Sequence, residues 1–388
     1  MKRRVAVFTG TRAEYGLLRP LLALLHEHDA CELQIIVSGT HLSERHGLTV
    51  AEIEKDGFTP AARVPLPLED NSPTGTCAAC GHAVAALGGT LERLRPDILV
   101  LLGDRYETLA AALAATIMQV PTAHIHGGES TEGAMDDAFR HAVTKMSHLH
   151  FTSCEAYRQR VIQLGETPER VFNVGSLGVE NARSLALPDE AEVREYLHVG
   201  SRPYFLCTFH SVTRERDAGV SQCRALLEAL EAFPDHAQVF TGANADQGGD
   251  TVNRLVLEHV AAHPDRRFFF MSLGATRYLA AAKYAACVAG NSSSGIIEVP
   301  SFHTPIVDIG DGQKGRIRSA SVLHCEPDVR VIREALAIAL SAEYKNNIAL
   351  IKNPYDLPNT ALNIVARIST WPLEGLLKKH FYTASVYE

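Results

Sequence analysis

The sequence predicts an α/β protein made of two doubly wound halves. Short apolar runs alternate with amphipathic stretches, the pattern of parallel βαβ units with helices on both faces of a sheet. The alternation fades once, over the charged stretch 180–200 that contains Pro188, and then restarts, so a hinge linking the halves is expected there. The length agrees, because 388 residues at roughly 150 per domain give two to three domains.

In the first half Val5–Phe8, Leu33–Val37, Ile98–Leu102, Thr122–Ile125, Leu149–Thr152 and Val171–Val174 read as strands. Leu17–His28, Cys77–Leu94, Arg105–Met118 and Met135–Met146 lie between them and carry apolar residues at helical spacing. In the second half Tyr204–Phe209, Gln238–Thr241, Arg267–Met271, Cys287–Ala289 and Pro305–Ile309 read as strands. Thr360–Lys379 is helical in pattern, with Asn359 as its cap. The expected division is a first domain over 1–180, a second over 200–360 and a terminal helical segment over 361–388.

Composition narrows the function. Lys and Arg total 37 against 45 for Asp and Glu, a formal net charge of −8. An acidic balance argues against nucleic acid or an anionic membrane surface as partner. The hydrophobic fraction of 46% and charged fraction of 21% are those of a globular chain with ample cores. No apolar run approaches the roughly 20 residues of a membrane span. Met1-Lys2-Arg3-Arg4 opens like a signal peptide, but the apolar run Val5–Phe8 stops at Thr9-Gly10, too soon for a signal core. The expected location is cytoplasmic. The 8 cysteines are scattered, several in apolar runs where a thiol acts as a small hydrophobe. Cys77-Ala-Ala-Cys80 has no second pair or histidine cluster to complete a zinc site.

Doubly wound sheets bind ligands at the carboxyl ends of their strands, so those ends carry the candidate chemistry. The first strand leads into Thr9-Gly10-Thr11-Arg12-Ala13-Glu14-Tyr15-Gly16 and a helix. A glycine turn at a helix N-terminus is an anion site, and Arg12 adds a fork of donors; the alternative is a tight turn with a surface arginine. The pattern is not GxGxxG, and Val37-Ser38-Gly39 ends the second strand without an acid for a ribose, so no nicotinamide cofactor is expected. The next strand ends in Gly103-Asp104-Arg105-Tyr106-Glu107, neighbouring charges that pair or bind something. Then come His124-Ile125-His126-Gly127-Gly128-Glu129 and, after Glu132, Asp136-Asp137-Ala138-Phe139-Arg140-His141. Carboxylates clustered near consecutive strand ends raise one another's pKa and supply acids and bases near neutral pH. Asp136 and Asp137 also suit a first helical turn, and a metal held with His124 and His126 is a rival use of the same acids.

In the second half, His210 follows a strand in Thr208-Phe209-His210-Ser211, and Asn244 follows another. A histidine there contacts a sugar or phosphate, serves as an acid, or is structural. Gly290-Asn291-Ser292-Ser293-Ser294-Gly295 joins a strand to a helix. Its small residues let backbone amides approach phosphate oxygens, the hydroxyls donate, and the helix dipole favours an anion. Glu298, one turn on, can accept from both ribose hydroxyls. The loop lacks the Gly-Lys-Ser/Thr ending of a nucleotide-hydrolysing loop.

Together, Gly10–Tyr15, Gly103-Asp104-Arg105, His126–Glu129, Asp136–His141, Lys145–His150 and Gly290–Gly295 resemble the hydrolysing UDP-N-acetylglucosamine 2-epimerases of bacterial sialic-acid synthesis, over roughly residues 3–375. The resemblance implies a glycosyltransferase-B-like fold, two Rossmann-like domains facing a central cleft with a C-terminal helix crossing back to the first. It implies that UDP-N-acetylglucosamine and water give UDP and N-acetylmannosamine, without metal or cofactor, in a homodimer or homotetramer. Carried over by motif, Asp104, Glu129 and Asp137 match the acid/base carboxylates. His210 matches a group on the diphosphate or sugar. Arg12, Arg105, Ser292 and Ser293 match diphosphate or sugar contacts, Glu298 the ribose clamp, and Asn244 a nucleotide contact. The family commonly carries Arg where this chain has Gly312, with Lys314 and Arg316 nearby. Relatives that act on UDP- or GDP-linked N,N'-diacetylbacillosamine, in legionaminic acid synthesis, share these motifs and give the alternative reading. A glycosyltransferase of the same fold, a nucleotide-sugar sensor and a non-hydrolysing epimerase are the rivals.

Overall fold

Each apolar run nominated as a strand forms one, to within a residue or two at its ends. The computed structural model describes residues 2–70, 72–132, 134–212, 217, 219–243 and 248–383. It divides the chain into two units, the first of residues 1–129, 135–181 and 357–388, the second of 130–134 and 182–356.

The first unit holds β1 (Arg3–Thr9), β2 (Cys31–Ser38), β3 (Ala62–Val64), β4 (Ile98–Leu102), β5 (Thr122–Ile125), β6 (Leu149–Thr152) and β7 (Val171–Asn173). They form one sheet of order β3-β2-β1-β4-β5-β6-β7, and every pairing is parallel. Its helices are α1 (Arg12–Glu27), α2 (Val50–Lys55), α3 (Pro73–Leu94), α4 (Tyr106–Ile117), α5 (Met135–Met146) and α6 (Glu155–Gln163). The unit boundary falls inside α7 (Leu177–Ser184). Because strand side chains alternate between faces, Val5 and Val7 enter one core with Leu18, Leu22 and Ile98. Ala6 and Phe8 enter the opposite core with Leu87, Leu99 and Leu101.

The second unit holds α8 (Glu190–Leu197), β8 (Tyr204–Thr208), α9 (Val220–Leu230), β9 (Ala237–Thr241), α10 (Gly249–Ala262), β10 (Arg267–Phe270) and α11 (Gly274–Tyr284). There follow β11 (Cys287–Gly290), α12 (Ser293–Ile297), β12 (Ile306–Ile309), β13 (Val322–Cys325), α13 (Val329–Leu340) and α14 (Ala342–Ile348). Its parallel sheet runs β10-β9-β8-β11-β12-β13. Phe205 and Cys207 face one core, Tyr204 and Leu206 the other. In each sheet the strand order reverses beside the first strand of the unit, between β1 and β4 and between β8 and β11, and ligands bind at such switch points.

Four expectations are corrected. α1 begins at Arg12, five residues before Leu17, and runs through Pro20 as the stretch Leu17–His28 already did. A proline cannot donate to the carbonyl four residues back; that carbonyl, of Gly16, accepts instead from Asn181 Nδ2 at 2.9 Å. The stretch 180–200 is not a bare hinge, because Asp189 and Glu192 form a reciprocal cap that starts α8. Strands β3 and β13 and helices α2, α13 and α14 were not anticipated. The terminal helix α15 (Thr360–Thr370) stops before Trp371-Pro372 and does not reach Lys379. Asn359 gives it no side-chain cap; Glu180 does so by accepting from the Ala361 amide at 2.8 Å. Ile364, Val365 and Ile368 of α15 share the core of Leu18 and Leu22 of α1. Among the described residues no helix is long and apolar enough to cross a membrane.

Candidate functional site

In the first unit β4 runs into Gly103-Asp104-Arg105, β5 into His126–Glu129, and α5 carries Asp136, Asp137, Arg140 and His141. Gly103 has φ +80° and His126 φ +65°. A left-handed non-glycine residue costs of order 1 kcal/mol or more and persists only where its surroundings hold it. Here Arg140 Nη1 donates to the His126 carbonyl at 2.9 Å.

The same side chain, only 4% exposed, joins two of the candidate carboxylates. Its Nη2 ion-pairs with Asp104 and its Nη1 lies 3.6 Å from Glu129 Oε2. The other Glu129 oxygen accepts from Ser153 Oγ at 2.8 Å and lies 3.7 Å from His126 Nδ1. Glu129 is buried, whereas the Asp104 side chain keeps 22% of its surface. Asp137 stands on the first turn of α5, partly exposed, 3.8 Å from His141 Nε2. Burial pushes the His141 imidazole below its ordinary value, against the pull of Asp137.

Arg140 is the residue that motif reasoning passed over. Its position four after Asp136 suggests an ordinary helical i,i+4 pair, and only the fold brings it to Asp104 and Glu129.

Arg105 pairs with Glu107, its Nε and Nη2 donating to the two carboxylate oxygens at 3.2 and 3.3 Å. One local reading changes: the amides of the Gly10-Thr11 turn are not open to a phosphate. Glu14 Oε2 accepts from Gly10 N–H at 2.7 Å and Thr11 N–H at 3.2 Å, while Thr11 Oγ1 accepts from Glu14 N–H at 3.3 Å. This is a reciprocal helix cap. Burial pushes the Glu14 carboxyl up to about 7, against the opposing pull of Arg105 and with a further push from Glu107. Arg12, the cationic side chain of that motif, is partly exposed with Nε 3.7 Å from Glu52 Oε1.

His124 lies beneath the carboxylates with both ring nitrogens engaged, by the Gly103 carbonyl and the Thr144 hydroxyl. Among the described residues no three His, Cys, Asp or Glu side chains converge as a metal site. Cys77 and Cys80 lie on α3, both as thiols.

In the second unit the ends of β8 and β11 are bound together by Asn291. Its Oδ1 accepts from the His210 amide at 2.7 Å and its Nδ2 donates to the His210 carbonyl at 2.9 Å. Gln313 Nε2 donates to the Asn291 carbonyl at 2.9 Å, which joins the turn carrying Gly312 to the same centre. A Cβ on Gly312 would meet Asn291 Nδ2 at 3.4 Å, an ordinary contact. Gly290, at φ +139°, admits no side chain, because a Cβ there would stand 1.9 Å from the Thr208 carbonyl oxygen. Ser292 caps α12 in position but not through its side chain, and Ser293 opens the helix. Ser292, Ser293 and Glu298 are all half-buried. The Tyr278 phenol adjoins this loop, near Ser292, Ser294 and Thr208. Asn244 lies outside the described residues.

The family described as UDP-N-acetylglucosamine 2-epimerase matches residues 23–369. The chain is 38% identical over 366 residues to the polysialic acid biosynthesis protein P7 of Escherichia coli, covering 94% of this chain and 93% of that protein. It is 37% identical to the hydrolyzing GDP/UDP-N,N'-diacetylbacillosamine 2-epimerase of Campylobacter jejuni, covering 89% and 90%. Among solved structures, the UDP-GlcNAc 2-epimerase of Neisseria meningitidis bound to UDP-GlcNAc superposes with a TM-score of 0.78 at 17% identity, covering 94% of this chain and 99% of that one.

Proposed function

Because the chain belongs to the UDP-N-acetylglucosamine 2-epimerase family, we propose that it is a hydrolysing epimerase, converting UDP-N-acetylglucosamine and water to UDP and N-acetylmannosamine. The observation that carries this reading is the buried Arg140 set between Asp104 and Glu129 at the ends of β4 and β5. It gathers carboxylates where a doubly wound sheet binds its ligand.

The sugar C2–H is not acidic until the C1–O bond to UDP begins to break and positive charge grows at C1. A carboxylate then takes the C2 proton as UDP leaves from the opposite face, and a glycal remains. A second acid returns a proton to C2 from the other face, which inverts that centre, while water adds its oxygen to C1 and gives its spare proton to a carboxylate. Two acid/base positions are needed, and Asp104, Glu129 and Asp137 supply them. The departing diphosphate needs stabilisation, which we assign to His210, Ser292 and Ser293 in the second unit and to Arg12 and Arg105 in the first. Glu298 holds the ribose hydroxyls, and Asn244 is a further nucleotide contact. Neither a metal nor a nicotinamide group has a part in this scheme. The enzyme we propose is cytoplasmic and a homodimer or homotetramer, for which Leu113 and Ile117, both exposed on α4, offer apolar surface.

A second reading, favoured by the 37% identity to the Campylobacter jejuni enzyme, replaces the sugar by N,N'-diacetylbacillosamine on UDP or GDP. Phosphorus and proton NMR with each of the three donors, in the presence of EDTA, tests both. Free UDP with N-acetylmannosamine supports the first reading. Turnover of a diacetamido donor alone supports the second. A nucleotide sugar bound without release of any free sugar contradicts both.

A further inference from the structure

We infer that His124 is a positioning residue, a neutral strut that sets the acid/base carboxylates in register from beneath; its catalytic meaning rests on the reading above. His124 sits on β5, fully buried, opposite Leu101 of β4 and His150 of β6. Its Nε2 lies 2.7 Å from the Gly103 carbonyl oxygen. A carbonyl only accepts, so Nε2 carries the proton. Its Nδ1 lies 3.1 Å from Thr144 Oγ1, and that hydroxyl lies 3.0 Å from the Arg140 carbonyl one turn earlier on α5. A Cβ on Gly127 would stand 3.0 Å from both His124 Nδ1 and Thr144 Oγ1, so the turn leading to Glu129 passes directly over the pair. One imidazole thus touches the turn that carries Asp104, the turn that carries Glu129 and, through Thr144, the helix that carries Arg140.

Its environment suits support rather than proton transfer. Both nitrogens are engaged, and burial pushes the imidazole down to about 3, with His150, Arg140 and His126 opposing protonation and the Gly103 carbonyl favouring it. Aliphatic side chains fill the pocket without a donor. Glutamine carries an N–H at the equivalent reach and keeps the bond to Gly103.

The test compares full-length wild type with His124→Leu, His124→Gln and Thr144→Val. The first readout is backbone hydrogen exchange over 103–107 and 126–129, where the Gly103 amide donates to Ile125 O at 3.1 Å and the His126 amide to Phe151 O at 2.8 Å. The second is the split between kcat and KM on the sugar donor that wild type turns over. His124→Leu is expected to speed exchange in both segments about tenfold or more, leaving 287–300 unchanged. It lowers kcat about 30-fold or more with KM within about threefold. His124→Gln restores both to within about fivefold of wild type. Thr144→Val, nearly isosteric, gives a smaller effect of the same kind and keeps the test open if the leucine variant does not fold. Wild-type exchange at 103–107 in His124→Leu, or a glutamine variant as impaired as leucine, overturns the proposal. A wild type without turnover refutes the reaction instead, and the exchange data still decide the strut.

Discussion

Replacing Glu14 with glutamine should stabilise the protein at alkaline pH and not at acidic pH. The carboxyl is buried against Glu107 and Arg105, and it accepts the Gly10 and Thr11 amides. Its rise from 4.5 to about 7, at about 1.36 kcal/mol per tenfold change, makes ionising it in the folded protein cost roughly 3 kcal/mol. The direction is that of a raised group. The stability is fully present below about 4.5 and is lost as pH rises through about 7. Glutamine keeps an oxygen for both amides and does not titrate. Urea unfolding of wild type and Glu14→Gln at pH 5 and pH 8.5 measures the difference, since other titrations are common to both proteins. The stability gap should move by roughly 2.5 kcal/mol in favour of glutamine between the two pH values, since a little of the change is already complete at pH 5. A gap that stays constant within about 0.5 kcal/mol would show that Glu14 ionises as a solvated carboxylate does, and that the cap is not the buried structure described above.

Three further outcomes are expected. Asp104→Asn and Glu129→Gln should each lower turnover by about 10²–10⁴ while UDP affinity by calorimetry changes no more than a few-fold; unchanged turnover removes that residue from the acid/base set. Gly290→Ala should lose at least about 1 kcal/mol in thermal unfolding, because the new methyl meets the Thr208 carbonyl; a wild-type melting temperature contradicts this. Glu166 is buried and accepts from Lys145, His150 and Lys379 at 2.5, 2.9 and 2.8 Å. Against the cost of burial, His150, Lys145 and Lys379 hold it at about 2, so its contribution is present above about 4.5 and fades as pH falls toward 2. Glu166→Gln should therefore cost about 3–5 kcal/mol at neutral pH, read by denaturant titration, and much less near pH 2.

The strands were legible where the chain is apolar on both faces, as in Ile98–Leu102, all of it buried. They were not where a short edge strand carries a polar side chain, as β3 does with Arg63 and β13 with His324. The cap that starts α8 was visible in Asp189 and Glu192, but the charge of the stretch read as a linker. The start of α1 was missed because Gly10–Gly16 read as a glycine turn ahead of the helix, while the reading of Leu17–His28 as helical already crossed Pro20. For the site, residue type and strand-end position suffice to single out Asp104 and Glu129. Their shared guanidinium does not follow from sequence, since helical spacing offers Asp136 as a nearer partner. The occupation of the Gly10-Thr11 amides by Glu14 was missed for a related reason: Thr11-x-x-Glu14 is the sequence signature of a reciprocal cap, and the arginine beside it drew the eye to an anion.

The measurement that bears most directly on the proposed chemistry is the isotopic content of the released sugar at C2. UDP-N-acetylglucosamine turned over in deuterated water should give N-acetylmannosamine carrying one solvent deuterium at C2, because the proton removed there is not the one returned. Released N-acetylmannosamine that keeps its original C2 hydrogen would contradict removal of that proton by the carboxylates around Arg140.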